Sequence, residues 1–252
     1  MVELCAIASG SNGNCYYVGT ENEAILVDVG VSRKQVLLRM EERGLDPSKI
    51  TGIFISHEHA DHTRGIRVLA KSLKVPVYMT KGTFDNTWNP NRPGKYGLFE
   101  PDQAFMFGEF VIHPFLKKHD AANPCSFRIE TQGKSIGVFT DIGEACANVK
   151  KHFKQCDAVF LEANYDEEML QNGTYPYPLK QRVLSDVGHL SNKQAFELAQ
   201  NEAGLQLKHV LLSHLSGENN TPELAYEAFR PLTSLYSVHL TSRIEASEVI
   251  KL

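Results

Sequence analysis

The chain has 252 residues, 42% of them apolar, and a formal charge of -4, enough length and apolar material for one large domain or two small ones with a sizeable core. That charge excludes a global electrostatic pull on nucleic acid, so a polyanion would have to be met by a local basic patch. Five cysteines, odd in number and without a CxxC pair, argue against a disulfide framework, and no apolar run reaches membrane-spanning length.

Leu4 to Ala8 and Cys15 to Val18 read as short strands separated by Ser9-Gly10-Ser11-Asn12-Gly13-Asn14. This loop is open to two readings: a hairpin turn that uses Asn-Gly, or a cradle of bare amides that holds a phosphate. Ala24 to Val29 reads as a strand that carries Asp28 at its end, and a helix with Val36, Leu37 and Met40 on its apolar side follows to Arg43. The apolar run Ile50 to Ile55 is a strand, and the dense polar string Ser56-His57-Glu58-His59-Ala60-Asp61-His62 comes directly after it. A helix from about Thr63 to Leu73 and a strand Val75 to Met79 come next. Lys81 to Glu100, rich in Asn, Pro and Gly, reads as an irregular excursion.

Ala104 to Phe107, Phe110 to Phe115, Ser126 to Thr131 and Ser135 to Thr140 read as a strand meander. His119 falls in a loop between two of these strands, and Asp141 ends the last of them. A helix near Glu144 to His152, a strand Ala158 to Leu161 ending in Glu162-Ala163-Asn164, and a helix from about Lys193 to Ala203 after Gly188-His189-Leu190-Ser191 follow. The strand His209 to Leu212 ends in Ser213-His214, a helix covers Pro222 to Phe229, and Leu235 to Leu240 closes the chain as a strand. With no linker or repeat, the order reads as one domain over residues 1–252, an α/β (α+β) four-layer αββα sandwich.

Three imidazoles and a carboxylate within six positions after a buried strand call for a metal. His57 and His59 can face one ion from an extended turn, while Asp61 and His62 are offset toward a second. His119, Asp141 and His214 are the remaining ligand types at strand ends. On this reading His57, His59 and His119 hold the first metal, Asp61, His62 and His214 the second, and Asp141 bridges them. Imidazole with carboxylate suits two divalent ions of zinc, manganese or iron. Asp28 suits a carboxylate that holds a metal-bound histidine in its tautomer. Such a pair of metals deprotonates a shared water, which is hydrolysis without a protein nucleophile.

His57-Glu58-His59-Ala60-Asp61-His62, followed in order by His119, Asp141 and His214, resembles the metallo-β-lactamase fold superfamily, and the resemblance implies that fold with a dinuclear site on its edge. Asp141 matches the bridging aspartate of its phosphodiesterases. The loop of Ser9 to Asn14, His119-Asp120-Ala121, Leu161-Glu162-Ala163-Asn164 and Gly188-His189-Leu190-Ser191-Asn192 together resemble the YycJ/WalJ-type bacterial exonucleases. In that pattern Tyr165 stands where a histidine is common, and Ser126 where a glycine is. The interval between Asp141 and His214 is too short for the insertion of ribonuclease J. The resemblance implies an exonuclease acting 5′ to 3′ on double-stranded DNA, and the reduced cysteines with no basic, apolar leader at Met1 to Cys5 read as a cytoplasmic protein.

Asp61 and His189 are then the candidate catalytic residues: a hydroxide shared by the metals attacks phosphorus, and His189 gives a hydrogen bond or proton to the phosphate or leaving oxygen. Ser9, Ser11, Asn12, Asn14 and Asn164 are candidate phosphate ligands. Lys117, Lys118, Arg64, Arg92, Lys95 and Arg182 could form a basic rim, although charge runs are usually solvated faces. His113, His152, His209 and His239 read as packing or surface residues. The alternative function is a small-substrate hydrolase acting on a thioester, lactone or cyclic phosphodiester with the same metals.

Overall fold

The computed structural model describes residues 1–252. β1 (Glu3–Ala8), β2 (Cys15–Gly19) and β3 (Ala24–Val27) form an antiparallel meander, after which β4 (Ile50–Phe54), β5 (Val77–Met79) and β6 (Tyr96–Leu98) add on in parallel. Parallel neighbours need crossovers, supplied here by α1 (Arg33–Glu42), the short α2 (Ala60–Thr63), α3 (Ile66–Leu73) and α4 (Lys81–Asn86). The second half repeats the plan. β7 (Phe105–Phe107), β8 (Phe110–Leu116), β9 (Cys125–Thr131) and β10 (Lys134–Phe139) are antiparallel, and β11 (Ala158–Glu162), β12 (His209–Ser213) and β13 (Ser237–Leu240) continue in parallel. Its helices are α5 (Ala147–Phe153), α6 (Glu167–Asn172), α7 (Tyr177–Leu184), α8 (Asn192–Glu202) and α9 (Pro222–Phe229). β14 (Ile250–Lys251) pairs with β1, so each sheet has seven strands.

The parallel strands are apolar on both faces, and this decides the layering. Ile25 and Val27 of β3 join Tyr16, Phe54, Phe127 and Phe160 between the two sheets, while Leu26 turns outward to Ile66, Leu69, Val36 and Met40 under α1 and α3. In β11, Phe160 points between the sheets, whereas Val159 and Leu161 meet Phe153, Leu198 and Phe229 under α5, α8 and α9. Each sheet therefore carries helices on its outer face, which makes the expected αββα sandwich. No helix is long and apolar enough to cross a membrane, and all five cysteines are free thiols.

Two expectations need correction, and one stretch left unread holds helices. Residues 81–100 are not irregular throughout. Thr80 caps α4 by accepting from Thr83 N–H, and β6 extends the first sheet at its edge. Phe84 stacks on Tyr96 at 4.2 Å, and the Arg92 guanidinium lies 4.9 Å over the Phe84 ring. The stretch after Asn164 holds two helices, α6 capped by Asp166 and α7 opened by Pro176. β13 does not close the chain either. Arg39, buried in α1, donates to the carbonyls of Ile7, Arg243 and Ile244, and this strap leads the tail back to β1.

Candidate metal centre

The polar residues collect where strands end. Asp28 follows β3, the string His57–His62 follows β4, and His119 follows β8. Asp141, Glu162 and His214 stand at the ends of β10, β11 and β12. In an open α/β sheet the carboxyl ends of the strands form the ligand-binding edge, and the two sheets here present theirs to each other. Asp28, Asp141 and His214 have left-handed backbones, with φ of 61°, 55° and 57°. For non-glycine residues that conformation costs on the order of 1–3 kcal/mol each, and such strain persists where surrounding structure fixes a functional geometry.

Two clusters result. His57 Nε2 and His59 Nδ1 lie 3.0 Å apart, and His119 Nε2 is 3.3 Å from the same His59 nitrogen. Beside them, His62 Nε2 is 3.3 Å from Asp61 Oδ2 and 3.1 Å from Asp141 Oδ2, and His214 Nε2 is 3.5 Å from both Asp61 Oδ2 and Asp141 Oδ1. Asp141 also reaches toward the first cluster, with Oδ1 3.8 Å from His119 Nε2. All seven expected ligands are thus brought together, in the division read from their spacing. Glu58 ties the histidine string to the loop of His119 by accepting from Ala122 N–H.

The surrounding shell holds the imidazoles in place. Asp28, fully buried, accepts from Ser56 N–H and Ser56 Oγ and faces His62 Nδ1, each at 2.8 Å. This carboxylate leaves Nε2 of His62 pointing into the cluster. Glu162 plays the matching part on the other side. Its Oε1 lies 2.8 Å from His189 Nδ1 and 3.0 Å from His214 Nδ1, while its Oε2 accepts from Ile142 and Leu190 N–H. Glu162 was legible as a residue at a strand end, but nothing in its neighbours marked it as the partner of two histidines 27 and 52 positions away.

In the glycine-rich loop, Ser9 and Asn14 turn their side chains toward the His214 and His62 loops. Ser9 Oγ accepts from His214 N–H, and Asn14 Nδ2 lies 3.1 Å from His62 Nε2 and 3.3 Å from Asp61 Oδ2. The amides of Ser9, Gly10, Gly13 and Asn14 are all engaged within the protein. Asn164 donates to the His214 carbonyl. The side chains of Ser9, Asn14 and Asn164 are buried and bonded to the loops that carry Asp61, His62 and His214. Only Ser11 and Asn12 are exposed.

Most of the expected basic rim is committed as well. Lys117 is buried on the Thr140 carbonyl, Lys118 pairs with Glu144, Arg182 pairs with Asp120, and Arg92 donates to Thr87 and Asp85 carbonyls. The four remaining histidines lie away from the clusters: His113 beside Glu130, His152 stacked on Phe115, and His209 against His239.

The donor set fits metal ions. Asp141 Oδ2 and His214 Nε2 are buried without a hydrogen-bond partner and face only the other members of the clusters, a position that a bound ion or water would complete. Burial holds His57 well below the ordinary imidazole range and takes His119 down to about 3, so both present neutral lone pairs. Around His62 and His214 burial acts in the same direction but is outweighed. Asp141 and Asp61 act on both, joined by Asp28 at His62 and by Glu162 at His214; they hold His62 well above its usual range and His214 at about 10. Several carboxylates buried together thus create a strong demand for positive charge.

The sequence profile of the beta-lactamase superfamily domain matches residues 23–215. The exodeoxyribonuclease YycJ of Bacillus anthracis is 36% identical over 232 residues, which cover 89% of this chain and 86% of that protein. The exodeoxyribonuclease WalJ of Streptococcus pneumoniae is 36% identical over 225 residues, 87% of this chain and 84% of that one. Among solved structures, the metallo-beta-lactamase fold protein YhfI from Bacillus subtilis superposes with a TM-score of 0.74 at 21% identity, covering 100% of both chains.

Proposed function

Since this chain belongs to the beta-lactamase superfamily and is a metal-dependent hydrolase, we propose that it is a nuclease: an exonuclease that digests double-stranded DNA from the 5′ end. In this reading His57, His59 and His119 hold one divalent ion and Asp61, His62 and His214 a second, with Asp141 between them; zinc, manganese and iron all suit the donors. The observation that carries it is the placement of His189 beside both clusters, its ring centroid 5.4 Å from His119 and 5.3 Å from His214. Relatives that match most of the chain bear the name exodeoxyribonuclease.

When bound, divalent ions at such a site polarise a phosphoryl oxygen and make water strongly nucleophilic near neutral pH. The chain's own residues then do the rest. Nδ1 of His189 is taken by Glu162, which leaves Nε2 to meet substrate. From there it gives a hydrogen bond to the phosphate and a proton to the leaving oxygen, while Glu162 steadies the imidazolium in one orientation. Asp28 and Glu162 keep His62 and His214 in the tautomers that direct Nε2 at the clusters.

Incubation with 5′-end-labelled duplex DNA and manganese, in parallel with a thioester and a lactone, tests the reading. Nucleotide release from DNA is expected. Replacing His189 by alanine should keep the metal content and lower the rate by about 10²–10⁴. Inert DNA with rapid thioester or lactone turnover would overturn the proposal.

A further inference from the structure

The helix leaving the metal motif carries an unusual charge pattern. From His62 to Phe84 there is no acidic residue, while Arg64, Arg67, Lys71, Lys74 and Lys81 all fall in that interval. Arg67 and Lys71 lie on α3, Arg64 stands at the end of α2, and Lys74 is the C-cap of α3. At about 100° per residue, Arg67, Lys71 and Lys74 share an arc of about 60° on one helix face. That face is the solvent side, since Ile66, Leu69 and Ala70 are buried while all four cations from Arg64 to Lys74 are exposed.

None of these four cations is in an ion pair, in contrast to Lys118, Lys150 and Arg182, which each face a carboxylate. Lys95 joins Arg67, Lys71 and Lys74 around one shallow pocket, and Arg33 reaches the same helix by donating to Ser72 Oγ at 2.7 Å. At its inner end the row meets the site. Arg64 Nη1 lies 3.4 Å from the Asn12 carbonyl and Arg243 Nε 3.3 Å from Asn12 Oδ1, two residues from Asn14 at the His62 cluster.

We propose that the solvent face of α3, from Arg64 to Lys74 with Lys95 beside it, is the track along which a duplex DNA backbone leads away from the metal centre. A protein of net charge -4 gains nothing in general from an unpaired basic row, and self-repulsion within it is costly unless a polyanion is met there. From Arg64 to Lys74 the row spans about 15 Å at 1.5 Å per residue. A row of that length can face several backbone phosphates, since each strand carries one charge per about 3.4 Å of helix axis. Glycine at 65 permits this close approach of the helix to the site: a Cβ there would sit 2.1 Å from the Val31 carbonyl oxygen. This track rests on the nuclease reading for its choice of substrate, but its test reads binding rather than cleavage.

The test uses the metal-loaded protein and a duplex blocked at its ends with phosphorothioates, with the dissociation constant measured at several salt concentrations. The triple variant Arg67→Gln, Lys71→Gln, Lys74→Gln should bind roughly tenfold or more weakly, and its salt slope should fall by about 2.7, or about 0.9 per lost phosphate contact. A control triple of equal charge on α5 and its C-cap, Lys150→Gln, Lys151→Gln, Lys154→Gln, should retain the parent affinity and slope. An α3 triple with the parent slope, or a parent that shows no salt-dependent binding of the duplex, overturns the track even if DNA is digested. A slope lost only on single strands or RNA overturns it as stated. Loss of slope on a duplex that the parent binds, but whose unblocked form it never digests, supports the track and rejects the nuclease reading.

Discussion

Replacing Glu162 by glutamine changes one oxygen to NH2 in a fully buried position that receives four donors. If the remaining amide oxygen keeps the Ile142 and Leu190 N–H groups, the new NH2 faces Nδ1 of both His189 and His214. Two charge-assisted bonds are then lost, each worth about 1.5–3 kcal/mol, or about 3–6 kcal/mol before relaxation. The rings can recover part of this by moving their protons to Nε2, where Nδ1 becomes the acceptor. For His214 that is the atom directed at Asp61 and Asp141, so relaxation is gained at the expense of metal binding. Metal affinity should fall by about 10–100-fold, and saturating metal should not restore the rate, because His189 is altered by the same change. Competition with a metal indicator, read beside kcat at saturating metal, separates the two effects. A Glu162→Gln protein with parental metal affinity and kcat within threefold of the parent would refute the reasoning.

Arg39→Met leaves the carbonyls of Ile7, Arg243 and Ile244 without their donor; a loss of roughly 3–5 kcal/mol should lower Tm by roughly 6–20 °C, and an unchanged melting curve would contradict the strap. Gly30→Ala should remove activity while leaving far-UV circular dichroism near normal, because its Cβ would lie 1.6 Å from the Asp61 carbonyl oxygen and must displace the metal-ligand string; full activity would show that the loop yields freely. Burial, reinforced by Arg128, Lys151 and His113, takes the His152 imidazole from 6.5 down to about 4. The unfolded chain therefore binds this proton first, so the contribution to stability is complete above about pH 6.5 and is lost as pH falls toward about 4, at no more than about 1.4 kcal/mol per pH unit and less for a partly solvated ring. Urea unfolding of the parent and of His152→Gln across that window should show the smaller pH slope in the variant.

The residues that can be read from the sequence are those whose type and spacing already state their chemistry. The string His57 to His62 after an apolar run points to a metal site at a strand end, and the lone His119, Asp141 and His214 likewise fall at strand ends. Ser9, Asn14 and Asn164 were less legible because a small polar side chain looks the same whether it faces a ligand or a neighbouring loop, and their bonds to His214, Asp61 and His62 depend on packing between the two halves. The basic rim could not be decided from the sequence for a related reason. Asp120 and Glu144 neutralise Arg182 and Lys118 from 62 and 26 positions away, a distance at which charge pattern along the chain carries no information. α6 and α7 were missed because each is short, and Asp166 and Pro176 at their starts serve turns as readily as helices. In contrast, the unpaired row on α3 is plain in the sequence as an interval without acids, and gains meaning only when the helix is seen to start just past His62.

The central claim, that paired His and Asp clusters hold two ions that this chain uses to cut DNA, is tested most directly by one titration. Protein stripped with a chelator and returned stepwise to manganese should be followed both for metal per chain, by elemental analysis, and for the rate of nucleotide release from labelled duplex DNA. The account predicts two ions per chain and a rate that depends on the second. Full activity with a single ion, or digestion that persists after chelation, would contradict it.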